Sequence, residues 1–191
     1  MKKIFVVIIV LFATKQCFSQ QPKSKIHFNS INSIGTVIGE NGSSTILQTI
    51  NGIKINNNWA FGLGIGHDPY QEASIPVFVD VRKYMGNKTW QPFIYVDGGM
   101  NYTLRTNNYP KKWSTGKDEY TFKPSFYGDA GIGISKSISR TAKFFISAGY
   151  SVKQFKYDYQ NYWIWDTGFP TVPTRYNFNF ERWSFKLGLE L

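Results

Sequence analysis

Beyond residue 17 the chain contains no cysteine. Everything downstream of Cys17 is thereby denied disulfides and cysteine-based zinc sites, and must be held by packing and hydrogen bonding. Histidine is nearly as scarce, with His27 and His67 the only two. No phosphate-cradling glycine loop, metal-ligand spacing or nucleophile elbow is present, so no cofactor and no metal is expected. No run of Lys or Arg resembles a nucleic-acid arm, and nucleic acid is not expected as a partner. Long apolar runs are missing too. Ile4 to Ala13 is the one unbroken stretch, ten residues, too short to span a bilayer as a helix.

That stretch follows Lys2 and Lys3 and precedes Cys17-Phe18-Ser19, with Gln20 next. A positive start, a short apolar core and small residues at the end make a secretory signal. Residues 1–19 are therefore read as a cleaved signal peptide and 20–191 as one exported domain. Removing Lys2, Lys3 and Lys15 lowers the formal charge of +10 by three. The remaining basic balance suits anionic lipid head groups or sugars, or simply solubilises the surface.

What the chain has in quantity is period-two alternation. Trp59-Ala-Phe-Gly-Leu-Gly-Ile-Gly66 sets large apolar residues on one face and almost no side chains on the other. Ile75, Val77, Val79 and Val81 oppose Pro76, Phe78, Asp80 and Arg82. Ile94, Val96, Gly98, Met100 and Tyr102 oppose Tyr95, Asp97, Gly99 and Asn101. Phe122, Phe126, Ala130, Ile132 and Ile134 oppose Lys123, Ser125, Tyr127, Asp129 and Gly131. Phe144, Ile146, Ala148, Tyr150 and Val152 oppose Phe145, Ser147, Gly149, Ser151 and Lys153. Trp183, Phe185, Leu187, Leu189 and Leu191 oppose Arg182, Ser184, Lys186, Gly188 and Glu190. Such runs are strands. Two weaker ones, Ile26 to Gly39 and Ser44 to Asn56, alternate poorly and bring the number to eight. Asn41-Gly42 is read as the turn between them. Tyr176, Phe178 and Phe180 have the opposite parity to Trp183 and Phe185, so a bulge is expected near Glu181.

An apolar face opposite a face of small and polar residues fits a narrow barrel with lipid outside and a cramped interior. Link lengths agree. Those after strands two, four and six are short; those after strands three, five and seven are longer, from His67, Thr106 and Tyr159. Trp59, Tyr84 and Trp90 fall near the short-link ends, and Tyr102, Tyr157 and Tyr176 near the long-link ends, as two aromatic girdles would.

On Trp59 to Gly66, Ile75 to Arg82, Phe126 to Ile134 and the terminal Trp183 to Leu191, the chain resembles the small eight-stranded outer-membrane β-barrels of the OmpA-transmembrane and OmpX type. The resemblance implies an all-β, antiparallel up-and-down transmembrane barrel with short periplasmic turns and longer outer loops. It implies residence in the outer membrane of a Gram-negative envelope, with outer-membrane lipid as surroundings. The last stretch resembles the signal by which the barrel-assembly machinery recognises such chains, although it ends in Leu191 rather than an aromatic. The resemblance transfers no catalytic residue.

Inward positions collect Asp80, Asp97, Asp129 and Glu190 with Arg82, Lys123, Lys143, Lys153, Arg182 and Lys186. In a narrow barrel these are expected to pair as a plug rather than to form an ion path. The outer loops carry Lys111, Lys112, Trp113, Tyr162, Trp163 and Trp165. Aromatics beside lysines suit a surface glycan, lipopolysaccharide phosphates or a protein partner, unless the loops fold over their own rings. The leading expectation is a monomeric, non-enzymatic barrel with a filled lumen and a structural or surface-interaction role. One alternative is a soluble exported barrel with an apolar ligand inside, whose large apolar face would point inward. A second is a lipid-modifying hydrolase, with His67 at the rim working with Asp68 or Glu72 and a serine.

Overall fold

The computed structural model describes residues 26–56, 58–86, 89–104, 117–139, 141–162 and 173–191, without the side chains of 117–119 and 160–162. The proposed signal segment lies outside them. The described residues contain no helix and form nine strand segments. They are β1 (Ile26–Gly39), β2 (Gly42–Ile55), β3 (Trp59–His67), β4 (Ser74–Tyr84), β5 (Trp90–Thr103), β6 (Lys117–Lys123), β7 (Ser125–Ser137), β8 (Lys143–Tyr162) and β9 (Thr174–Glu190). β6 and β7 are two lengths of one strand, interrupted at Pro124, and both pair with β8. β9 pairs with β8 on one side and β1 on the other, which closes an eight-stranded antiparallel barrel.

Closure sets the width. Following the register from Ile31 through Ile50, Gly64, Phe78, Gly99, Tyr127, Lys153 and Phe180, and extending the β9–β1 register, leads back to Asn41 on β1's side. That is a stagger of about ten residues, which tilts the strands by roughly 40° and leaves an interior that side chains can fill. Gly64 shows how tight the fit is. A Cβ there would overlap the ring of Phe78, which crosses the lumen and is 2% exposed.

The alternation seen in the sequence is the alternation of the wall. Phe61, Leu63 and Ile65 point outward, and Leu63 is 69% exposed. Val77, Val79, Ile94, Val96, Ile132, Ile146, Phe185 and Leu187 do the same. Ile31, Ile50, Phe78, Phe93, Tyr95, Tyr127 and Phe145 are buried inside among polar groups. The large apolar face thus points outward, the reverse of what an apolar ligand cavity of the lipocalin kind requires.

Three expectations are corrected. No bulge occurs near Glu181, because β9 pairs with β8 in one unbroken register from Glu190 to Thr174. The bulge lies at Pro124 instead. Lys123 pairs with Lys156 but Tyr127 with Lys153, so β6–β7 carries one extra residue. Proline has no N–H to give the ladder, which makes that position a natural place for the slip. In consequence Phe122 sits opposite Tyr157 on the lumen-side face, and Lys123 opposite Lys156 on the outer one. The girdle also differs. Tyr84 points inward and is buried, and Tyr157 and Tyr176 belong to that lumen-side face. Trp59 and Trp90 do stand outside at the short-turn end, with Lys83 and Lys136 over their rings at 4.4 and 4.9 Å.

Candidate functional site

The lumen is filled by a stack of paired charges. Nearest the short turns, Lys54 pairs with Glu190, and the Tyr84 hydroxyl donates to the same carboxylate at 3.0 Å. Lys143 donates to Gln91 Oε1 at 2.6 Å on this level. Next, Arg82 binds Asp80 at 2.9 Å, and its guanidinium lies 5.3–5.5 Å from the ring centres of Phe93, Tyr95 and Phe145. At mid-depth Lys186 reaches Asp129 at 3.0 Å and Asp97 at 3.4 Å. Tyr95 and Ser184 each donate to Asp129 at 3.0 Å, and Gln48 donates to the Tyr127 hydroxyl at 2.8 Å.

At the long-loop end Arg182 binds Asp68 at 2.7 Å and donates to Ser151. Lys153 approaches Asp68 at 3.4 Å and donates to the carbonyls of Asp68, Tyr70 and Glu72 at 2.8–3.1 Å. This clamp folds the β3–β4 link over the mouth and buries Tyr70. Thus Asp80, Arg82, Asp97, Asp129, Lys153, Arg182, Lys186 and Glu190 all lie inside and are paired. Two further partners, Lys54 and Asp68, join them from β2 and the β3–β4 link. Cations and carboxylates alternate with aromatic rings, and every one of these charges except Lys143, which rests on Gln91, has a counter-charge.

Above the clamp the wall changes character. β1 leaves β9 after Gly39 and Arg182, whereas β8 continues to Tyr162 and β9 begins at Thr174. β6, β8 and β9 therefore rise beyond the rest of the rim as a three-stranded sheet. Its lumen-side face carries Tyr120 and Phe122 from β6, Phe155, Tyr157 and Tyr159 from β8, and Tyr176, Phe178 and Phe180 from β9. Neighbouring rings sit 5.0–6.5 Å apart centre to centre, with Tyr157–Tyr176 the nearest pair. Phe180 meets Tyr70 at 5.8 Å, which joins this aromatic face to the lid of the mouth. The sheet's other face is polar. Lys123 and Arg175 both pair with Asp158, and Lys156, Asn177 and Asn179 lie beside them. Hydrogen bonding by Lys123, then by Arg175, holds the Asp158 carboxyl below its usual range.

His67 forms no constellation with Asp68. Its side chain is exposed on the outside of the wall, while the Asp68 carboxylate is turned inward to Arg182 and Lys153. The loop residues Lys111, Lys112, Trp113, Trp163 and Trp165 lie outside the described residues, as does the Tyr162 side chain.

No protein-family model and no curated protein matches the sequence. Solved structures do. The crystal structure of Neisserial surface protein A matches with a TM-score of 0.54 and 10% identity, over 89% of this chain and 99% of that one. The N-terminal β-barrel domain of Pseudomonas aeruginosa OprF matches with a TM-score of 0.52 and 10% identity, over 88% and 100%. At this identity the shared property is the backbone, and the closed, eight-stranded, up-and-down arrangement is what coincides. This chain has the fold of the small eight-stranded outer-membrane β-barrels.

Proposed function

We propose that the mature chain is an integral outer-membrane barrel without enzymatic activity, exported by residues 1–19, whose lumen is a structural plug. Its working surface is the aromatic-faced sheet above the mouth, together with the loop residues Lys111, Lys112, Trp113, Tyr162, Trp163 and Trp165 singled out in the sequence. The observation that carries this reading is the exposed apolar belt. Leu63, Val79, Val96, Ile132, Ile146 and Leu187 stand on a wall whose interior holds the charges. Water would favour the reverse arrangement, and hydrocarbon favours this one. The plug argues against transport, and the separation of His67 from Asp68 removes the motive for a hydrolase. The tall, ring-lined sheet supports a surface-interaction role, since stacked Tyr and Phe beside polar groups are what recognition surfaces use.

Cell fractionation is the test. The protein should sediment with the outer membrane and require detergent for release, and intact cells should expose the β6–β8–β9 sheet to protease. Recovery as a freely soluble periplasmic species overturns the membrane reading.

A further inference from the structure

Around most of the wall the belt is apolar, but the β1–β2 sector is not. Its outward register pairs set Ser30 against Asn51, Asn32 against Thr49 and Thr36 against Thr45. Asn32, Thr36, Thr45 and Asn51 are exposed. These positions are not at the rim. Phe28 and Ile53 lie below Asn32–Thr49, Ile34 and Leu47 lie above it, and all four are exposed. The polar pair therefore sits at the depth of the belt. Thr49 Oγ1 donates to Asn32 Oδ1 at 2.8 Å. That leaves the two amide donors of Asn32, and the Asn51 amide, without a side-chain partner among the described residues. In hydrocarbon such donors are costly, and neither water nor a head group reaches that depth.

Resting on the membrane reading above, we propose that the β1–β2 sector is a contact between two copies of this chain in the same membrane, in place of the monomer expected from the sequence. The depth of the stripe selects the partner. A second copy inserted in the same direction brings its own Asn32 and Asn51 to the same level. An amide both donates and accepts, so the stripe is complementary to itself across a twofold axis along the membrane normal. A groove of about 610 Å³ at this place, with Asn32 and Thr49 set among Ile34, Leu47, Ile65 and Leu189, gives a partner's side chains somewhere to seat. A lipid tail would fill that groove but leave the amides unpaired.

The test uses the full chain with Cys17→Ser, which removes the only native thiol. Ile34→Cys places a thiol in the stripe and Val79→Cys places one outside it, on β4, two strands round the wall from β2. Oxidation is carried out in native envelopes and with purified protein in phosphatidylcholine vesicles, with folding checked by heat-modifiable gel mobility. Disulfide dimers are expected from Ile34→Cys in both settings and not from Val79→Cys. Adding Asn32→Leu with Thr49→Val should cut the yield about tenfold while the mobility shift is kept. Equal yields at the two positions, or an undiminished yield in the polar-to-apolar variant, overturns the proposal. So does cross-linking seen only in envelopes and to a chain of different mass. Failure of the membrane reading is separately visible, because the parent Cys17→Ser chain would then appear in the soluble fraction.

Discussion

Two stretches of β8 have the same backbone and opposite chemistry. From Lys143 to Lys153, outward residues are Phe144, Ile146, Ala148, Tyr150 and Val152, and inward ones are Lys143, Phe145, Ser147, Gly149, Ser151 and Lys153. From Gln154 to Tyr159, outward residues are Gln154, Lys156 and Asp158, and inward ones are Phe155, Tyr157 and Tyr159. β9 changes over between Asn179 and Trp183, and β6–β7 changes over at Pro124. The period never breaks on β8 or β9; only the surroundings change. In the membrane reading, the level of the switch marks where the solvent outside the wall stops being hydrocarbon. The apolar length on β8, Phe144 to Val152, agrees with the 9–11 residues a tilted membrane strand needs, to within about a residue.

The largest effect is expected inside the lower stretch. Replacing Lys186 by Met leaves Asp97 and Asp129 facing each other without their cation. Urea unfolding in lipid vesicles should register a loss of about 3–5 kcal/mol, the usual consequence of orphaning a buried charge. An unchanged midpoint would mean that the plug is dispensable.

On the outer wall, Leu63→Arg should cost about 2–4 kcal/mol in the same assay, because the guanidinium is forced into hydrocarbon. Asn177→Arg, on the outer face of the upper sheet, should cost close to nothing. Inside the barrel, Gly64→Arg should fail by collision with Phe78, whereas Ser147→Thr should be tolerated. Equal tolerance of Arg at Leu63 and Asn177 would erase the boundary drawn above.

Smaller still is the expected effect of Phe178→Ala on the unfolding of the barrel as a whole. It breaks ring contacts with Phe155, Tyr157, Tyr176 and Phe180, each worth about 0.5–1.5 kcal/mol. These contacts lie above the closed barrel, so the loss should appear as faster hydrogen exchange in β6 and upper β8–β9, with the barrel's unfolding midpoint kept. A fall in that midpoint would show the two regions to be one cooperative unit.

Acid gives the mildest perturbation. The Asp158 carboxyl is lowered from its ordinary value of 3.8 by Lys123 and Arg175. What the pairing contributes is therefore complete above the ordinary carboxylate range and is lost as pH falls through the lowered value. Exchange in β6 should quicken only below about pH 4, and Asp158→Asn should remove that dependence.

The barrel was legible because β3, β4, lower β8 and lower β9 each repeat one chemistry per face. The parts that were not legible failed for identifiable reasons. Lys54 was hidden because β2 carries Thr49 and Asn51 on the outer wall, which blurs the alternation that would have placed Lys54 inside. Asp68 follows exposed His67 in a link, and only the inward fold of that link brings it to Arg182 and Lys153. Tyr176, Phe178 and Phe180 suggested a bulge near Glu181 only under the assumption that aromatics always face lipid. Once β9 leaves the belt, the same residues keep the inward face with no change of register. The extra residue is at Pro124, where sequence parity alone gave no warning because Phe122 and Phe126 share it.

The Lys123–Asp158–Arg175 cluster bears on how such a chain reaches its final state. In the membrane reading, the β6–β8–β9 tips lie on the far side of the bilayer from where insertion begins. They must therefore cross hydrocarbon once, and the charges travel with them. A lone Lys or Arg at the midplane raises a barrier of about 2–4 kcal/mol. Two cations that share one carboxylate cross with a net charge of one, provided that all three strands have paired before they move. Order of events thus becomes a property of the outer face: pairing first and passage second is the cheaper route, and the cluster is a device for transit as well as for rest.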